Sequence, residues 1–103
     1  MEIEDLCRRI YEIALPYAEK LPSPAAYIDV VLGSDFPYSE ADLWKTFKKI
    51  KWDSPLTASE LEFFHNPDPD FSHCAAVTGI IGFEDDHGKA DICRIPEQEG
   101  KLL

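Results

Sequence analysis

Cys74-Ala75-Ala76-Val77-Thr78-Gly79-Ile80-Ile81-Gly82-Phe83 is the stretch whose reading decides the fold. It is apolar, rich in β-branched residues and dotted with glycine, which suits a strand packed closely against a neighbour. Glu84-Asp85-Asp86-His87-Gly88-Lys89 follows as a polar turn, with Gly88 free to take a positive φ. Ala90 to Ile95 reads as the return strand, stopped by Pro96. The remaining residues, 97–103, read as a polar tail with no reason to be ordered. A lone hairpin is marginal in water and needs a covering layer.

Working outward from this hairpin, the upstream sequence reads as that layer. Ile3, Leu6, Cys7, Ile10, Ile13, Ala14 and Tyr17 recur at three- and four-residue steps and predict an amphipathic helix, kinked or broken at Pro16. Ser23-Pro24 resembles a helix start, and Gly33 a stop, predicting a second helix over 25–32. Ser39-Glu40-Ala41-Asp42 predicts a third, carrying Leu43, Trp44, Phe47 and Ile50 inward. Thr57-Ala58-Ser59-Glu60 completes a capping box and predicts a fourth, with Leu61 and Phe64 inward, ended by Asn66-Pro67. The expected fold is therefore α+β: three to four short helices packed on a C-terminal antiparallel β-hairpin, one domain over 1–96 and a tail over 97–103.

With 103 residues the chain has room for one core. Twenty acidic residues face ten basic ones, a formal charge of −10. Such a field repels nucleic acid and anionic lipid, which excludes both as direct partners at the level of expectation. The charge is uneven: residues 1–51 carry a net −2 and residues 52–103 a net −8. Three cysteines without regular spacing (Cys7, Cys74, Cys93) suit a reducing, cytoplasmic setting rather than a disulfide framework. The acidic start, Met1-Glu2-Ile3-Glu4-Asp5, is unlike a signal peptide, and no apolar run approaches the ~20 residues of a membrane span.

Three side-chain groupings carry candidate chemistry. Glu60, Glu62, Asp68 and Asp70 beside Phe63, with Glu84, Asp85 and Asp86 in the turn, form a candidate partner-binding surface. Lys45, Lys48, Lys49 and Lys51 read as a solvated helix face near a C-terminus, where cations suit the dipole. His65, Asp68, Asp70, His73 and Cys74 concentrate metal-ligating types, at a spacing that matches no compact motif. Cys74 beside His73 makes no dyad if both lie in a strand, because neighbours there point to opposite faces.

These features predict a small acidic, non-enzymatic protein that needs no cofactor. Its expected role is to inhibit or regulate a basic partner, such as a nucleic-acid-binding protein or a toxin. The expected manner is that of an immunity protein, an antitoxin or a phage inhibitor, and the acidic charge would permit mimicry of nucleic acid, with carboxylates where phosphates would lie. The alternative is a small metal-binding or enzymatic domain on His65, Asp68, Asp70 and His73. An open hairpin edge would also permit a homodimer by strand pairing.

Overall fold

The structure, a computed structural model, describes residues 1–103. It is α+β, with three helices and one four-stranded mixed sheet. Helix α1 (Ile3–Glu19) leads into strand β1 (Ala25–Gly33), helix α2 (Glu40–Ile50) and strand β2 (Glu60–Asn66). A 3-10 turn over Pro69–Phe71 precedes β3 (Ala75–Gly82), β4 (Ile92–Arg94) and the short α3 (Glu97–Gly100). The sheet order is β2-β1-β3-β4. β2 runs parallel to β1, while β3 is antiparallel to both β1 and β4.

The strands are thus interspersed among the helices, and the arrangement of helices on a terminal hairpin does not hold. The segment 25–32, expected as helix, is the central strand. Its alternation settles the matter: Ile28, Val30 and Leu32 are buried, while Tyr27, Asp29 and Val31 face the other way. A period of two with β-branched residues is a strand signal, and it outweighs the helix-like start at Ser23-Pro24. The segment 58–66, also expected as helix, instead forms an edge strand over Glu60–Asn66. Thr57, the expected cap, is exposed and caps no helix, and Ser59 serves the sheet instead. Ser59 is buried, and its hydroxyl donates to the Ala25 carbonyl oxygen at 2.7 Å.

Other expectations stand. In α2 the Ser39 hydroxyl accepts from the Asp42 amide at 3.1 Å, a true N-cap. Leu43 and Phe47 are fully buried beneath it. Helix α1 buries Leu6, Cys7, Ile10 and Ala14, and of the two expectations at Pro16, a kink or a break, the break does not occur: the helix runs on to Glu19. β3 forms as expected, but the return strand shrinks to three residues.

The closing residues do not dangle. Ala76 bridges to Lys101, the Leu102 amide donates to the Ala75 carbonyl oxygen at 2.9 Å, and Leu102 is buried in the core. Gly100 is needed there, because a Cβ would lie 2.0 Å from the Val77 carbonyl oxygen. β3 therefore has neighbours on both sides, and the free edges of the sheet belong to β2 and β4.

Candidate functional site

α1 and α2 pack on the face of the sheet that carries Ile28, Val30, Leu32, Val77 and Ile80. The opposite face is open, and strand register assembles it in rows. Glu60, Tyr27, Ile81 and Ile92 stand side by side across β2, β1, β3 and β4. The next row is Glu62, Asp29, Gly79 and Arg94. The third is Phe64, Val31 and Ala76. Tyr27 and Phe64 keep 40% and 45% of their surface, and Ile92 62%. Apolar side chains thus stand exposed beside carboxylates in neighbouring rows of the face.

A groove of about 580 Å³ lies at one end of this face. Tyr27, Ile81, Phe83 and Ala90 provide apolar walls, and Glu60 and Glu84 supply carboxylates. In the middle row Asp29 lies over Gly79, where a Cβ would sit 3.9 Å from Asp29 Oδ2. Asp29 Oδ1 is shut off from solvent and has no hydrogen-bond partner. Burial first, and then the charge of Glu62, pushes the Asp29 carboxyl up to about 6.

The expected contact residues are dispersed along the sheet. Glu60 and Glu62 do lie on the open face, with Glu84 at its end. Phe63 does not flank them: strand alternation turns it inward with Leu61 against the core, and Phe64 takes the outward place. That reversal follows directly from a period of two replacing one of 3.6. Asp68 and Asp70 lie past the far end of β2, roughly 20 Å along the strand from Glu60. They shape their own turn: the Asp68 amide donates to Asn66 Oδ1 and the Asp70 amide to Asp68 Oδ1, each at 2.9 Å. Asp85 closes the β3–β4 turn by accepting from the His87 and Lys89 amides at 2.8 and 2.9 Å, and Asp86 is exposed at its tip.

The alternative metal set is not gathered. His65 Nε2 lies 2.9 Å from Glu40 Oε2, joining the edge strand to the start of α2. No three His, Cys, Asp or Glu side chains come together as a metal-ligating group. Cys7 is no nucleophile either: burial pushes its thiol up to about 11, and the thiol donates to the Leu43 carbonyl oxygen.

After α2 the expected solvated lysine face loses one member. Lys51 folds inward, only 8% exposed, and its ammonium donates to the carbonyl oxygens of Thr57 (2.6 Å) and Ser59 (2.7 Å). Burial lowers its pKa, and the neighbouring Glu60 opposes that shift. Trp52 is left outside at 79% exposure, beside Lys45, Lys48 and Lys49 around a shallow hollow of about 480 Å³. Asp53, with φ 54°, turns the chain away immediately afterwards.

Comparison with protein-family models, curated proteins and solved structures finds no match. No helix is long and apolar enough to cross a membrane.

Proposed function

We propose that this chain is a non-enzymatic binding module that captures a basic protein partner on the uncovered face of its sheet. The observation that carries this reading is the composition of that face. Its outward apolar side chains, Tyr27, Phe64, Ile81 and Ile92, are interleaved with the carboxylates of Glu60, Asp29 and Glu62. Such a surface favours a partner presenting lysine or arginine among aliphatic residues: the apolar groups supply affinity and the charges supply rate and register. A regulator of this kind would act by covering a groove in which the partner binds phosphates, the mode of an immunity protein, an antitoxin or a phage inhibitor.

The test is a titration with a peptide of alternating lysine and leucine, followed residue by residue by NMR. Shifts confined to Tyr27, Asp29, Glu62 and Phe64, and lost in a Glu62→Lys/Phe64→Ser variant, support the reading. Shifts spread over the whole acidic surface, or unchanged in the variant, overturn it.

A further inference from the structure

The residues after α2 invert the usual order of burial: a lysine is inside and a tryptophan outside. Tryptophan is the side chain with most to gain from being covered, and it is over-represented among residues that dominate interfaces. Trp52 is held out by neighbours on both sides, Lys51 tied inward to the loop and Asp53 in a left-handed turn. Around it Lys45, Lys48 and Lys49 make a cationic rim on a chain of net charge −10.

This patch has the chemistry that the open sheet face would take: cations grouped around an apolar group. The two surfaces also look in opposite directions. α2 covers one face of the sheet through Leu43 and Phe47, its lysines point to solvent, and the carboxylate-bearing face lies on the far side. One copy therefore cannot satisfy itself, but two copies can meet head to tail.

We propose that the occupant of the Lys45–Lys48–Lys49–Trp52 patch is the uncovered sheet face of a second copy. Trp52 seats among Tyr27, Phe64 and Ile81, and the lysines reach Glu60 and Glu62. This rests on the preceding reading of the sheet face as the docking surface. A contact between two different surfaces leaves one of each unfilled in a dimer, so association continues to longer chains or a closed ring. At physiological ionic strength the Debye length of about 8 Å screens the net repulsion between copies while sparing charges in contact.

Sedimentation tests this, using two full-length variants. One carries a ruined patch (Lys48→Glu/Trp52→Ala) and the other a ruined face (Glu62→Lys/Phe64→Ser), each checked for a wild-type melting profile. The wild-type chain should show concentration-dependent species heavier than 11.7 kDa. Each variant alone should be monomeric, and Trp52→Ala by itself should weaken association about thirtyfold. An equimolar mixture should form a one-to-one dimer and nothing larger, because it retains one intact patch and one intact face. A wild-type chain that stays monomeric to millimolar concentration overturns the proposal, as do variants that keep the wild-type mass. If the lysine–leucine peptide still binds a monomeric chain, only the self-association fails. If the peptide fails too, the reading of the face falls with it.

Discussion

The ammonium of Lys51 donates to the Ser59 carbonyl oxygen at 2.7 Å, tying the end of α2 to the residue just before β2. With the Thr57 carbonyl as second acceptor, this one side chain holds the crossover that sets β2 beside β1. Lys51→Met keeps the aliphatic stem and removes the donor. It leaves two carbonyls unpaired, and a loss of about 2 kcal/mol is expected. The urea midpoint should fall, and amide exchange should quicken along 60–66 before the rest of the sheet.

Asp29 gives the stability a pH dependence with a definite sign. Its folded carboxyl titrates at about 6 against an ordinary 3.8, so the folded chain holds that proton more tightly than the unfolded one. The resulting stabilisation is fully present below about pH 4 and fades as the pH rises through about 6. Asp29→Asn removes the charge at nearly constant shape. At pH 7 it should gain on the order of 1 kcal/mol, a figure reduced for solvent screening on an open face. Thermal melts from pH 4 to 7 should show the variant's advantage growing with pH; a constant gap would contradict the assignment.

Thr57 and Ser59 separate the capping-box reading from the observed one. A helix start at Thr57 would make Thr57→Ala the costly change. In the structure Thr57 is exposed and its side chain makes no hydrogen bond, so the substitution should stay within about 0.5 kcal/mol of wild type. Ser59→Ala removes the buried bond to Ala25 and should cost about 1–2 kcal/mol. Chemical denaturation of the two single variants decides the ranking.

Phe63 and Phe64 should likewise divide their roles. Phe63 packs on the core, so Phe63→Ala should cost about 2–3 kcal/mol, less than a fully buried phenylalanine. Phe64→Ala should leave the melting temperature almost unchanged while weakening peptide binding at the open face. Equal effects of both on stability would show that the strand alternation is wrong.

Leu102 tests whether the closing segment belongs to the core. It is buried in the core cluster and its amide bonds the Ala75 carbonyl oxygen, and Leu102→Ala should cost about 2–3 kcal/mol. A disordered tail would make the change silent in calorimetry.

How much of this was legible in sequence depends on range. Helix α2 was, because Ser39 and Asp42 are three residues apart and cap locally. So was β3, whose apolar run has no helical period. β1 was missed although Ile28, Val30 and Leu32 alternate, because Ser23-Pro24 and Gly33 bracket the run like the start and stop of a helix. β2 was missed because Thr57 and Glu60 have capping-box spacing but start no helix, while Ser59 between them serves a distant acceptor, Ala25. Glu60 and Glu62 were visible as charges. Tyr27, Asp29 and Phe64 could not be joined to them, since the open face exists only once β1 and β2 pair in register.

The central position of β1 also shapes how the chain reaches this fold. Both of its partners, β2 and β3, lie far downstream, and one of them is parallel. Closing the intervening loops costs chain entropy before either pairing returns any stability, so such a topology folds more slowly than a helical bundle of the same length. During synthesis Ala25–Gly33 leaves the ribosome long before Ala75–Gly82 does. Throughout that interval the strand destined for the middle of the sheet is an unpaired ribbon, and the apolar stripe of α1, synthesised just before it, is the nearest surface to hold it apart from other nascent chains.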